Sequence, residues 1–207
     1  LSKVVALPFM LILLFFIFQV IRDTSYKHLV WIIVPISGLV LIYLFQPQID
    51  YWWLKRNPIE LDEKIKKMFL SLSPIYRHLD ESSKKDFERN VVLFAEAKEF
   101  IAKGSEDNSV PYDIRMMLSQ VAVSMLIKAK DPLLKKFERI ILYKHPFPTP
   151  ANKFLHTVET HMEDGVIILA LEYVEAGLFH PDNYYNTAGH AFAEAIIKSN
   201  NNFEYPD

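Results

Sequence analysis

Two long apolar runs stand at the start of the chain, separated by a short polar connector. The first run covers residues 4–21, with Gln19 as its only polar side chain, and the second covers residues 29–45. At about 1.5 Å of helix per residue, each run is long enough, or nearly so, to cross a hydrocarbon core of about 30 Å. The pattern therefore predicts a hairpin of two transmembrane helices.

Aromatic and basic residues follow the second run. Aromatic rings are common in the headgroup layer of a bilayer, and basic flanks stay on the cytoplasmic side. The connector holds two basic residues, Arg22 and Lys27, whereas residues 55–67 hold five. We therefore expect an integral protein of the inner or plasma membrane, in contact with lipid, with both termini and the soluble part in the cytoplasm. The predicted membrane interface consists of Tyr51, Trp52, Trp53, Lys55 and Arg56.

A signal peptide is the alternative interpretation of the first run. Lys3 precedes the run, but no small-x-small cleavage pattern follows it, and the apolar stretch is longer than is usual in signal peptides. We expect a retained anchor. The chain then divides into a membrane hairpin, residues 1–56, and a cytoplasmic domain, residues 57–207.

Helical periodicity dominates the first half of the cytoplasmic domain. An amphipathic helix is predicted over residues 58–70 and a stronger one over residues 82–103. Pro111 suits the first turn of a third helix. The apolar face of that third helix predicts core packing and consists of Ile114, Met117, Leu118, Val121 and Met125.

The periodicity changes after residue 132, where short strands replace helices. A short amphipathic helix over residues 171–177 and a polar loop then lead to a final helix that begins near Asn186. Helices followed by a small mixed sheet and a further helix predict an α+β fold. The predicted strands cover residues 139–143, 154–160 and 166–170, with a proline-rich loop at 145–150 and a turn at 162–165.

Charge and cysteine content exclude several classes of protein. The 23 basic and 25 acidic side chains nearly cancel, and no basic surface interleaved with aromatic residues is evident, so we expect no nucleic-acid partner. The chain has no cysteine, which excludes a disulfide framework and thiolate chemistry.

The final predicted helix carries the stretch TAGHAFAEAII, residues 187–197. Its frame is that of a zinc-peptidase helix, in which His-Glu-x-x-His supplies two metal ligands and a general base. His190 and Glu194 are four residues apart, so they share a helix face from which both can approach one metal ion. Ala191 stands at the position of the base, and its methyl group cannot accept a proton.

The run MEDGVIILALEYVEAGLFHPDNYYNTAGHAFAEA, residues 162–195, resembles the Mlc-titration-factor family of zinc-dependent peptidases. In that family a strand, a short helix ending in Val-x-x-Gly, a polar loop and an asparagine lead into His-Glu-Phe-Ala-His. The resemblance covers roughly residues 72–200 and leaves the two apolar runs outside. The matching elements are Gly165 to Leu169, Val174 to Gly177, Pro181-Asp182, Tyr185-Asn186 and His190 to Glu194.

The resemblance implies a zincin-like domain and assigns roles to particular positions. His190 corresponds to the first zinc ligand, Glu194 replaces the second histidine, and Ala191 replaces the general base. Because the sequence ends soon after this motif, we expect the domain to be incomplete and the segment carrying a third ligand to be missing. The edge strand that would hold a substrate or partner by strand addition is Val166, Ile167, Ile168 and Leu169.

Three functional hypotheses follow. The preferred one is a catalytically inactive pseudo-peptidase anchored in the membrane, an accessory or regulatory subunit that binds a protein partner or a larger membrane complex. It would have no resident cofactor, or zinc at low occupancy. The second is an active membrane-tethered zinc metallopeptidase that recruits ligands from a missing tail or a partner chain. The third is a purely structural membrane subunit in which the soluble domain is a passive cap.

Overall fold

The computed structural model of the chain describes residues 2–22, 29–57, 59–104, 108–127, 133–149 and 152–199. Two compact units are present, Leu1–Pro58 and Ile59–Asp207. The first unit is helical. It contains α1 (Ser2–Arg22), α2 (Leu29–Leu44) and α3 (Gln46–Arg56).

Helix α1 is the part of the first unit that is long and apolar enough to cross a membrane by itself. Helix α2 has 16 residues, which corresponds to about 24 Å of helix against a core of about 30 Å. It reaches the required length only together with α3, from which it bends by 67°. One spanning helix is therefore supported, and the second span stays a prediction.

Helices α1 and α2 pack against each other in antiparallel orientation. The Phe16 and Trp31 rings stack with their centroids 6.4 Å apart. Nearer the N-terminus, the Phe9 ring lies so close to Gly38 that a Cβ atom at position 38 would overlap it. Small residues allow this kind of close approach between apolar helices. Residues 23–28, which contain most of the predicted connector, lie outside the described part of the chain.

The second unit is an α+β domain. Six helices and six strands alternate irregularly along its described residues. In chain order these are α4 (Glu63–Leu72), α5 (Pro74–His78), α6 (Glu81–Ala97), β1 (Glu99–Lys103), α7 (Tyr112–Leu126), β2 (Arg139–Tyr143), β3 (Phe147–Thr149), β4 (Asn152–His156), β5 (Val158–His161), β6 (Val166–Ala170), α8 (Leu171–Phe179) and α9 (Thr187–Ser199).

The strands form a mixed four-stranded sheet and a separate hairpin. The order in the larger sheet is β1-β2-β6-β5, with β1, β2 and β6 parallel and β5 antiparallel to β6. Strands β3 and β4 form the antiparallel hairpin. The predicted small mixed sheet is thus confirmed, and β2, β6 and the turn before β6 have the predicted bounds.

Three predicted elements differ from the structure. The long helix predicted over residues 82–103 ends at Ala97, because residues 99–103 pair with β2 as strand β1. The strand predicted over residues 154–160 is divided at Thr157 between β4 and β5, which belong to different sheets. The proline-rich loop contributes β3, where Pro148 is accommodated because a two-stranded ribbon consists of edges alone.

The core of the second unit lies where α6, α7 and α9 meet. The Phe94 ring of α6 meets the Phe192 ring of α9 edge to face, with centroids 6.0 Å apart, and both side chains are fully buried. On α7, Leu118 is also fully buried. Met125, predicted to belong to the same apolar face, is exposed near the end of the helix.

Gly177 permits α8 to pack against the segment that leads into α9. A Cβ atom at this position would overlap the carbonyl oxygen of Tyr185 and lie 3.1 Å from the Cα atom of Asn186. Only glycine allows a backbone approach of this kind. Gly177 therefore determines how closely α8 approaches the start of the helix that carries the candidate site.

Candidate functional site

Helix α9 is fixed in place from its first residue. The Asn186 side chain accepts a hydrogen bond from the Gly189 backbone N–H at 2.8 Å, which satisfies one of the free donors at the helix start. One face of the helix is completely buried, at spacings of three and four residues. That face consists of Ala188, Ala191, Phe192 and Ala195.

Ala191 belongs to this buried face. It occupies the position at which the family that the sequence resembles has its general base. Its exposed fraction is 0%. A glutamate in its place would bring a carboxylate into packed apolar surroundings, which costs free energy unless partners are supplied. The structure therefore places position 191, where the motif would have its base, in the core of the second unit.

His190 lies on the exposed side of the helix start. Its ring faces the ring of Tyr185, with the centroids 5.5 Å apart. Its backbone N–H donates to the Asn186 carbonyl at 3.0 Å. The imidazole is accessible and stands beside an exposed aromatic loop.

Glu194 is bound to another side chain of its own helix. Its Oε1 atom lies 2.7 Å from the Lys198 ammonium, one turn further along. The same ammonium donates to the Thr160 carbonyl oxygen at 2.9 Å and to the Thr160 hydroxyl at 2.7 Å. Three acceptors thus match the three protons of the ammonium, and the cluster joins α9 to β5.

The surroundings of Glu194 keep its carboxyl ionised. Partial burial acts to raise the pKa, but the hydrogen bonds from Lys198 and Thr160 and the positive charges of Lys198 and His190 outweigh it. The pKa consequently lies below its usual value of 4.5. The carboxylate serves as the counter-ion of Lys198.

Strand β6 does not offer the free edge that strand addition requires. It lies between β2 and β5 and pairs with both, so the edge role predicted for Val166, Ile167, Ile168 and Leu169 is wrong. The edge strand next to α9 is β5, and its Thr160 is buried beside the helix. Because Ala170 N–H donates to the Thr157 carbonyl, the alternation of an antiparallel ladder directs the backbone groups of Val158 and Thr160 away from β6.

The remaining histidines have other surroundings. His161 pairs with Glu159 at 3.0 Å, and His145 pairs with Glu172 at 2.6 Å. The Nε2 atom of His156 is buried without a hydrogen-bond partner in the described structure. Within the described ranges, no three His, Cys, Asp or Glu side chains come together in a group that could hold a metal ion.

These residues do not fit a catalytic zinc. Such a site needs three protein ligands and an open position for water, and α9 supplies two candidate donors, His190 and Glu194. One of the two Glu194 carboxylate oxygens, Oε1, is engaged by the Lys198 ammonium. No base stands at position 191.

Lys198 and Thr160 were missed by the sequence analysis. The spacing of Glu194 and Lys198, four residues with the acid first, is a recognisable sign of a helical ion pair. Thr160 offers no such sign, because its contact depends on how β5 is placed beside α9.

The ionised state of Glu194 gives the first prediction. Replacing Glu194 by Gln should lower the free energy of unfolding at pH 7 by about 0.5–1 kcal/mol, since it removes a partly exposed ion pair. A depressed pKa means that the contribution of Glu194 is complete above the unfolded-state value near 4.5. It is lost as the pH falls through the lower folded-state value. The difference between wild type and variant should therefore shrink below about pH 4.5.

Chemical unfolding of the full-length protein in detergent, followed by circular dichroism between pH 3 and 7, measures this difference. Glu175→Gln, on the exposed side of α8, is the matched control and should leave stability unchanged. A Glu194→Gln effect that stays constant down to pH 3 would contradict the assignment.

Comparison with protein families agrees with the residues that carry the resemblance. The sequence pattern that defines the glucose-regulated metallopeptidase M90 family matches residues 49–205, which include the whole second unit except its last two residues. Searches among curated proteins and among solved structures returned no match. The chain therefore belongs to the glucose-regulated metallopeptidase M90 family.

Proposed function

We propose that this chain is a catalytically inactive, membrane-anchored member of the M90 family whose soluble domain binds a protein partner as an accessory or regulatory subunit. The proposal rests on the helix that would supply the zinc chemistry. On this helix, Ala191 is buried in the core of the domain and Glu194 is paired with Lys198. The family scaffold is kept, while the groups that perform hydrolysis are replaced.

The loss of the base alone accounts for a large loss of rate. A positioned acid or base contributes about 10²–10⁴-fold. In zinc peptidases the same group also takes the proton from the water that attacks the peptide. His190 is a single accessible metal-ligand candidate, and its ring lies next to that of Tyr185. One such ligand is too few for a metal site, whereas an exposed imidazole beside an aromatic ring suits contact with a protein partner.

Two surfaces next to α9 support partner binding. The first is an aromatic patch, defined as Phe179, Tyr184 and Tyr185, whose side chains are between 52% and 69% exposed. Large exposed aromatic side chains are frequent energetic centres of protein interfaces. The second is the outer edge of β5 at Val158, whose backbone groups point away from β6.

The fold and anchoring extend the proposal. A mixed sheet with its antiparallel strand at the edge beside α9 is consistent with a zincin-like domain that has lost its metal chemistry. Helix α1 would anchor the chain, with α2 and α3 as a second span, both termini in the cytoplasm and Tyr51 to Arg56 at the interface. Arg56 lies over the Trp52 ring at 4.2 Å, an aromatic–basic pair suited to the headgroup layer.

Restoring the family residues tests the loss of chemistry. The double variant Ala191→Glu/Glu194→His should neither bind zinc in stoichiometric amount nor hydrolyse peptides, because position 191 is buried and the described donors are too few. Metal content and peptidase activity of the purified full-length protein are the measurements. Glu194→His alone leaves the core unchanged and is the control. A lack of zinc and activity in this single variant cannot be attributed to unfolding by a buried glutamate. Zinc together with hydrolysis in either variant would establish a competent site and favour the active-peptidase hypothesis.

The aromatic patch tests partner binding. Tyr184→Ala/Tyr185→Ala should weaken association by roughly 30-fold, since truncating one interface centre costs about 2 kcal/mol or more. The measurement is the amount of high-mass complex that the full-length chain forms in mildly solubilised native membranes. Tyr112→Ala, an exposed tyrosine on α7, is the control. Complexes that persist both in this double variant and after deletion of residues 59–207 would favour the purely structural hypothesis.

A further inference from the structure

We infer that the β3–β4 hairpin is a second membrane contact, which inserts its apolar residues into the surface of an anionic bilayer. The hairpin is a two-stranded sheet of its own within the second unit. Its described residues are Phe147–Thr149 and Asn152–His156. Phe154 and Leu155 are 80% and 67% exposed, and Phe154 is the most exposed large apolar side chain among the described residues.

The placement of these two side chains favours lipid over a protein groove. Leu155 pairs with Pro148, whereas Phe154 lies in the stretch where the register of the ladder shifts. Both side chains are largely exposed on a two-stranded ribbon that pairs with no further strand in the described part of the chain. Insertion of the ribbon into the bilayer surface removes both side chains from water at once.

The other end of the hairpin is held by the folded domain. Phe147, which is opposite His156 in the ladder, is buried and stacks on Tyr143 of β2 with ring centroids 4.8 Å apart. The apolar content of the hairpin is thus divided between Phe147, which packs on the domain, and Phe154 and Leu155, which face solvent. This division presents Phe154 and Leu155 on a fixed support.

The charge of the segment specifies the lipid. Residues 144–156 contain two lysines and two histidines and no aspartate or glutamate. Lys144 is exposed beside the hairpin. Glu172, the acid that reaches this region, is paired with His145. A basic segment with exposed apolar residues is the combination that binds anionic headgroups while its apolar side chains enter the acyl boundary.

The first unit of the same chain would hold the hairpin near a membrane. Helix α1 is long and apolar enough to cross a bilayer, and a tether raises the effective concentration of lipid near the domain, so a hairpin of modest affinity can be occupied. The inference rests on anchoring through the first unit, which is part of the proposed function.

A single fluorophore tests the contact, because the chain has no cysteine of its own. Full-length Leu155→Cys is labelled with an environment-sensitive dye and incorporated into lipid nanodiscs, either of neutral phosphatidylcholine or with added phosphatidylglycerol. In the anionic discs we expect a blue shift and a several-fold lower rate of quenching by aqueous iodide. Tyr112→Cys, labelled in the same way at an exposed site on α7, should be quenched as in water.

Charge reversal separates lipid binding from a general change in the dye. Lys144→Glu/Lys153→Glu should abolish the protection at position 155, whereas Lys85→Glu/Lys103→Glu, with the same change in net charge, should preserve it. Equal quenching at positions 155 and 112 in anionic discs would overturn the inference. Protection that does not depend on lipid charge would overturn it as well.

Failure of the anchor gives a different result. Chains that lack a working anchor would not be incorporated into either kind of disc, which contradicts the proposed function. Incorporated chains with an unprotected position 155 contradict the hairpin contact alone.

Discussion

The burial of one face of α9 is the constraint on which the rest of the soluble unit depends. Ala188, Ala191 and Ala195 are small enough to bring the helix close to its neighbours, and Phe192 fills the space against Phe94. Close packing of this kind leaves no room for a longer side chain at position 191. The position that provides the base in a His-Glu-x-x-His helix is here part of the core, and the remaining faces of α9 determine what the domain can do.

On the half-buried side of α9, the Lys198 ammonium lies beside Glu194, at the position where a zinc-peptidase helix would hold its metal ion. A zinc peptidase joins its helix to its other elements through a divalent ion, whereas here the Lys198 ammonium joins Glu194 to Thr160 on β5. The ammonium is balanced by a single carboxylate and two neutral acceptors. The ion pair thereby connects α9 to the edge strand of the sheet.

Local patterns predicted the elements whose partners lie nearby in sequence or whose signals are strong. The strands at residues 139–143 and 166–170, the turn before the second, and the start of α9 near Asn186 were visible from apolar runs and turn or cap residues. Strand β1 was not, because residues 99–103 continue a helical pattern and become a strand only by pairing with β2, about 40 residues away. The edge position of β5 and the contact of Lys198 with Thr160 likewise depend on topology, which periodicity does not reveal. At the candidate site, sequence identified His190, Ala191 and Glu194, but not the ion pair that determines the state of Glu194.

The central claim is that α9 holds its place through packing and an ion pair and does not carry a catalytic metal. The most direct test is the zinc content per chain of the purified full-length protein, measured beside His190→Ala. The account predicts far less than one zinc per chain in both, with unchanged stability, since His190 is exposed and substitutions at such positions usually change the free energy of unfolding by less than about 0.5 kcal/mol. Near-stoichiometric zinc in the wild type that disappears in His190→Ala would contradict the account and favour an active metallopeptidase.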